Sequence, residues 1–336
     1  MKDLFNIKRT KMIDDAAFRH APRTPGKTVL SFILFYFVAN FLCSIITFAV
    51  DLGYNLYTFI KSGLMSEYYD ATKSQNAEAL EEVLDKMLEL TSIPWWFVCV
   101  ELFASALIIG ACIFFCIKFE KRPVPSLGIR KKGVLVELLL GIFVGALIVS
   151  AVAGFSLVTG AISFEPYKPF STVFVVLIFA CLIDAFANEL LFHGVLMVSL
   201  ARDTKPIFAI LITSILYAAF HALSLNIFII INSFLLSFLL GLYVFKRGSI
   251  WGATIISFVW TYVSSVIFGS PLMSLMEAPS ILLPNYKFAD IISGGEVYGI
   301  NAGVAFTLVL VVAIFVLLLT KTKKSELSQF EIEYFN

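Results

Sequence analysis

Eight blocks of roughly twenty apolar residues dominate the chain, at 29–50, 94–117, 134–159, 171–200, 206–225, 226–245, 250–268 and 302–320. A stretch of that length crosses a hydrocarbon core of about 30 Å. Lipid offers the backbone no hydrogen-bond partners, so each block must close its own bonds as a helix. Most blocks are apolar all round, whereas helices that enclose a soluble core are amphipathic. Composition agrees: 59% of residues are hydrophobic and 15% charged, against about 45–50% and 25% in soluble domains. The fold class expected is all-α, a polytopic membrane helical bundle of about eight transmembrane helices. The first block is too long for the h-region of a cleaved signal peptide, and no small-residue cleavage site follows it.

Charge placement predicts orientation. Segments 1–28, 118–133, 201–205, 246–249 and 321–336 together hold 20 of the 25 Lys and Arg, while 51–93, 160–170 and 269–301 hold five. The positive-inside rule then puts both termini in the cytoplasm, consistent with an even number of spans. The 12 acidic residues of the outer segments complete a strong polarity behind a net charge of only +1. Such a balance argues against nucleic acid as a partner and leaves the lipid bilayer as the first one. The plain basic N-terminus, with no organelle signal, suggests a prokaryotic plasma membrane.

Four regions follow. Residues 1–28 read as a basic, flexible cytoplasmic arm interrupted by APRTPGK, able to lie on anionic lipid. Residues 29–124 hold two transmembrane helices and the acidic outer loop 51–93. In that loop, NAEALEEVLDKMLEL carries Leu80, Val83, Leu84, Met87 and Leu88 as a helical stripe opposite a Glu-rich face. The stripe packs on the outer leaflet, on a partner or on the protein's own spans. Trp95 and Trp96, after Pro94, suit an interfacial belt. Residues 125–268 form a membrane core, and 269–336 an outer loop poor in pattern, the last transmembrane helix and a cytoplasmic tail. The five Cys all fall in spans without CxxC spacing, as packing residues do rather than a disulfide framework or zinc knuckle.

No Lys or Arg lies inside a span, and only four acids do: Glu101, Glu137, Asp184 and Glu189. Glu101 and Glu137 lie near span ends, where side chains reach the headgroups. Asp184 and Glu189 are deeper, in one helix, and ionisable groups at that depth are candidate functional groups. Glu189 and His193 are four apart and share a helix face, as do Asp184 and Asn188. Two readings stand open at this point: a polar pair that holds helices together, and a carboxylate and imidazole that work on water. His221 lies in the next span, and His20 in the arm.

Beyond Glu189 the chain reads ELLFHGVLMVSL, the turn ARDTKP, then AILITSILYAAFHAL, and later KRGSIWGATIISFVWTYVSS. This order of elements resembles the CAAX-protease and bacteriocin-processing family of intramembrane peptidases, also called the Abi family. Its members carry EExxxRG, then FxxxH, then GS-(I/L)-W after a basic residue, then HxxxN. The resemblance covers about residues 125–268. It implies a first Glu as general base for water, a histidine that holds water or a metal, an HxxxN pair that donates to the oxyanion, and an Arg that orients the acids.

The chain departs from that pattern. Asn188 occupies the first Glu position and Glu189 the second, while His193 stands for Arg before Gly194. Tyr217 replaces Phe and His221 is kept. Gly248-Ser249-Ile250-Trp251 is kept, and Ser257 and Thr261 occupy the HxxxN positions. Of base, two histidines and asparagine, only His221 survives. An amide has no basicity at neutral pH, and each lost group typically costs a factor of about 10²–10³ in rate. The resemblance therefore implies a fold kept while the chemistry lapsed: a membrane scaffold or regulator of membrane or cell-envelope proteins, or a bacteriocin-immunity protein. One alternative is an active, divergent endopeptidase that cleaves membrane-associated peptides with Glu189, His193 and His221. Those three could form a two-histidine, one-carboxylate set for a divalent metal such as zinc. However, a step of one residue turns a helical side chain by about 100°, so Glu189 replaces Asn188 only on a distorted helix. A third reading is a small ion or solute transporter with Asp184, Glu189 and His221 on its path.

Overall fold

The computed structural model describes residues 10–17, 23–90, 95–167, 172–221, 226–271, 280–286 and 291–320. Its first helix, α1 (Lys11–Ala17), corrects the expected flexible arm: Met12, Ile13 and Ala16 are buried. The short apolar stripe among DD and K was too brief to stand out in a basic segment, yet it seats the helix on the bundle. Residues 1–9 and 18–22, including His20, lie outside the described residues.

Helix α2 (Pro25–Ser62) starts and ends well outside the first predicted span. Thirty-eight residues make about 57 Å of helix, nearly twice the hydrocarbon thickness. It ends at Gly63, whose φ of 73° only glycine adopts cheaply. Helices α3 (Leu64–Lys73) and α4 (Ala77–Leu90) follow. The helix predicted in the outer loop is α4, and it packs on α3 and α2 with Val83 buried. The side chains of Met87 and Leu88 lie outside the described residues, as does Pro94. Trp96 packs edge-on against Tyr54 with ring centroids 5.0 Å apart.

The membrane core consists of α5 (Trp95–Lys118), α6 (Val134–Val158), α7 (Thr172–Glu189), α8 (Met197–Asp203), α9 (Pro206–His221), α10 (Ile227–Arg247), α11 (Trp251–Thr261) and α13 (Val304–Leu319), with the one-turn α12 (Gly295–Tyr298) before the last. Among the described residues six helical stretches are long and apolar enough to cross a membrane, and α9 and Trp251–Ile267 are shorter apolar helices. The eight predicted blocks are therefore eight helical stretches, with shifted ends. Between α7 and α8 the helix is continuous but π-helical over Leu190–Leu196, and α11 continues as a π-helix over Tyr262–Ile267.

Close packing sets the core. A Cβ on Gly141 would lie 2.7 Å from Ile255 Cβ, and one on Gly145 2.8 Å from Val259 Cβ. These two glycines, one turn apart, let α6 and α11 approach as small residues do in membrane bundles. Glu137 does not rise to the headgroups as expected. It is buried, receives three bonds from Arg247 (Nη2 to Oε1 2.7 Å, Nε to Oε1 3.0 Å and to Oε2 3.2 Å) and one from the Tyr243 hydroxyl (3.1 Å). A bidentate guanidinium satisfies a buried carboxylate where a headgroup cannot reach. Lys246 donates to the carbonyls of Leu318 and Thr320 and so caps the end of α13. Asn232 ties α10 to the last helix through Asn301 O, Gly303 O and the Thr307 hydroxyl.

Outside the helices, β1 (Ile162–Pro166) pairs antiparallel with β2 (Leu282–Tyr286), with Phe164 opposite Pro284. Strand β1 lies in the outer segment 160–170 and β2 in the outer loop 269–301, which is poor in pattern. Five-residue strands far apart in sequence give too short an alternation to be seen. Four of the cysteines, Cys99, Cys112, Cys116 and Cys181, are buried, all five are free, and they pack as apolar side chains.

Candidate functional site

The residues singled out in sequence come from α7, the π-helix after it, and α9. Asn188 and His221 each lie fifteen residues from the turn 203–206 that joins their helices. At 1.5 Å per residue they sit at matching depth, about 20 Å from it. Phe192, four residues on from Asn188, lies with its ring 4.9 Å from Tyr217 and 6.2 Å from His221.

Glu189 and His193 form a closed pair. His193 Nδ1 is 2.7 Å from Glu189 Oε2, and the residues are 1% and 0% exposed. His193 Nε2 is 3.1 Å from the backbone O of Ser237 on α10, with the Ser237 hydroxyl at 3.3 Å. Both ring nitrogens therefore meet acceptors. An imidazole has one N–H and an imidazolium two, so only the latter donates to both. Either way His193 has no free lone pair pointing to an open site. Among the described residues Glu189 Oε1 has no hydrogen-bond partner.

Asn188 faces another way. Its side-chain amide donates to Asp184 Oδ2 and to Asp184 O, both at 3.1 Å. The other Asp184 oxygen accepts from the Ser105 hydroxyl of α5 at 2.6 Å. Both Asp184 and Asn188 are partly exposed. Glu101, one turn from Ser105, and the Tyr217 hydroxyl lie within electrostatic reach of Asp184, and Tyr217 also of Glu189. Sequence reasoning missed Ser105 and the Tyr217 hydroxyl. The signal was present: Glu101 and Ser105 repeat on α5 the four-residue spacing of Asp184 and Asn188 on α7.

His221 closes α9. Its Nδ1 is 2.8 Å from Tyr217 O, which can only accept, so Nδ1 carries the proton. Its ring stacks on Tyr217 at 4.1 Å. The residue is exposed, and among the described residues Nε2 makes no hydrogen bond. Among the described residues His221 thus keeps an available lone pair, unlike His193. No hydrogen bond joins the Ser257 or Thr261 side chains to Glu189, His193 or His221 among the described residues; Ser257 is buried and Thr261 partly exposed.

The metal set proposed from sequence does not assemble. Among the described residues no three His, Cys, Asp or Glu side chains are placed to hold a metal ion. His193 spends its nitrogens on Glu189 and Ser237, and only His221 offers one. These residues do not fit zinc or another divalent metal.

Each π-helical stretch begins at the residue after a motif position, Leu190 after Glu189 and Tyr262 after Thr261. Insertions of this kind recur at functional sites. The distortion that a displaced carboxylate would need is present, but it lies after Glu189 and leaves that side chain paired within the core.

The architecture and this polar cluster define a polytopic helical membrane protein with ionisable groups gathered between its spans. Its match to known families falls on that cluster. The family model described as type II CAAX prenyl endopeptidase Rce1-like matches residues 170–263. Over that segment, which holds all the motif positions, the chain is similar to that family, as its motifs implied. No curated protein matches the chain. No solved structure matches it either.

Proposed function

We propose that this chain is an Rce1-like CAAX-protease-family membrane protein whose peptidase chemistry has lapsed. It acts by binding, as a scaffold or regulator of membrane or cell-envelope proteins or in bacteriocin self-immunity, with both termini in the cytoplasm. One observation carries the reading: the retained motif carboxylate, Glu189, is buried against His193 and presents nothing to water. Asn188, where the base would stand, is occupied in holding Asp184. An amide cannot take a proton from water, and a carboxylate held in a dry pair cannot reach one. Among the described residues His221 is then an imidazole without a carboxylate partner.

A second reading has an observation of its own. Asp184 is a partly exposed carboxylate one turn from Asn188, held by Ser105 and Asn188. In an active, divergent endopeptidase it would serve with His221 on a membrane-associated peptide.

The test is deletion of the gene and complementation of the resulting envelope or immunity phenotype. His221→Ala and Asp184→Asn are compared with wild type at equal membrane levels. Full rescue by both supports the binding reading. Loss of rescue by both, at normal levels, overturns it in favour of the second.

A further inference from the structure

The turn after α5 is built around two buried charges. The N–H groups of Phe119 and Glu120 both bond Phe115 O at 3.0 Å, and the N–H of Arg122 bonds Cys116 O at 3.0 Å. Between them Lys121 has φ 51°, left-handed for a residue with a Cβ. That conformation is costly, and it persists only where the surroundings over-determine it. Its effect here is to turn Lys121 outward and both Glu120 and Arg122 inward, at 4% and 3% exposure.

Glu120 is the hub. Its Oε2 accepts from the Ser199 hydroxyl (2.9 Å) and lies 2.8 Å from Arg202 Nη1 and 3.7 Å from Arg122 Nε. Its Oε1 accepts from Arg23 Nη1 at 3.2 Å, and Arg23 is the one member with a substantially exposed side chain, at 38%. Arg122 Nη2 in turn reaches Gly194 O at 3.3 Å and Val195 O at 3.5 Å. Both carbonyls belong to the π-helical stretch that carries His193. In a π-helix each carbonyl accepts from the i+5 N–H rather than the i+4 one, and the guanidinium adds a further donor to two of them. The turn presses close at the same point, since a Cβ on Gly194 would lie 3.0 Å from Leu127 O.

We propose that Arg122 is a positioning residue that holds the π-helical turn of Glu189 and His193, and that Arg23 of the N-terminal arm is coupled to that turn through Glu120. A partner or lipid that engages the arm at Arg23 would then be felt at the buried pair, by a contiguous chain of contacts rather than by distance alone. This holds whichever reading of the site's chemistry is right, so its failure would leave the binding reading standing.

The chain has three histidines, which makes the test direct. Protein labelled with ¹⁵N-histidine is placed in lipid bilayers, and imidazole signals are read by magic-angle-spinning NMR. His20→Gln and His221→Gln assign the signals. Arg122→Gln is expected to shift both His193 nitrogens and leave His221 unchanged. Arg23→Ala is expected to shift the same two signals by less. If Arg122→Gln does not accumulate, Arg122→Lys takes its place, since it keeps a charge beside Glu120 but offers no planar fork to the carbonyls. Unmoved His193 signals in the Arg122 variant overturn the positioning role, even if the protein is less stable. Unmoved signals in Arg23→Ala overturn the coupling. Movement of His221 as well would mean general rearrangement, and would overturn both.

Discussion

If the Glu189–His193 pair is structural, its two halves should not be equally expendable. Take Glu189→Leu first. The imidazole left behind can settle as the tautomer that donates Nε2–H to Ser237 O, 3.1 Å away. One ring nitrogen is then bare, at a cost of roughly 1–3 kcal/mol for an unsatisfied buried group. His193→Leu is harsher. It leaves a carboxylate that is 1% exposed, one of whose oxygens, Oε1, has no partner even now among the described residues. Removing one partner of a buried charged pair costs about 3–5 kcal/mol. His193→Leu should therefore be the worse by about 2 kcal/mol, close to a thirtyfold change in the unfolding constant. The double variant, which removes both polar groups, should be more stable than His193→Leu alone, with a coupling of about 1–3 kcal/mol. The assay is SDS-driven unfolding in mixed micelles, followed by fluorescence of the four tryptophans. Additive single effects, or a Glu189→Leu protein more stable than wild type, would refute the reasoning. The second outcome is what a working carboxylate held at a stability cost would give.

Other expectations follow from the same geometry. Gly145→Leu should separate α6 from α11, because a Cβ already meets Val259 at 2.8 Å; overpacking of this kind costs about 1–3 kcal/mol, read as lower yield of folded protein and a lower unfolding midpoint. Lys121→Gly should relieve the left-handed residue and stabilise by roughly 0.5–1 kcal/mol in the same unfolding assay. For Glu120, burial pushes the carboxyl up, but Arg122, Arg202, the Ser199 hydroxyl and Arg23 outweigh it and hold it below the ordinary carboxylate range. A depressed folded value means that its contribution is fully present above the unfolded value, about 4.3, and is lost as pH falls through the lower folded one. Wild type should therefore lose stability below about pH 4 by a step that Glu120→Gln lacks; parallel acid profiles for the two would show that the carboxylate is not held this way. Arg247→Lys should destabilise despite the kept charge, because an ammonium cannot reproduce the two-point grip on Glu137.

How much of this was legible in the sequence depends on what each feature rests on. The spans were, because lipid forces twenty-residue apolar runs and the backbone leaves them no option but helix. The (i, i+4) pairs were too, because a four-residue spacing fixes a shared face whatever the tertiary structure, and Glu189 does meet His193. What was not legible rests on contacts between distant elements. Ser105 reaches Asp184 across 79 positions, and Arg122 reaches Gly194 across 72; no local pattern announces either. The buried α1 was hidden by its own brevity.

The π-helices are the more instructive case. No composition marks Leu190–Leu196, which reads as an ordinary apolar helix. The insertion is stabilised from outside by Arg122 on two of its carbonyls and by the close turn at Leu127, and within the helix by the Ser199 hydroxyl on Val195 O at 2.7 Å. Sequence reasoning asked whether a helix could be distorted enough to bring Glu189 round to the place of Asn188. The helix is distorted, but its direction is set in the main by Arg122, more than seventy positions upstream, and the closed pair leaves Glu189 shut in rather than presented. A motif read along one helix fixes which residues share a face. Which way that face points was decided here by a guanidinium from another loop, and that is why the retained glutamate reads in the fold as one half of a buried pair.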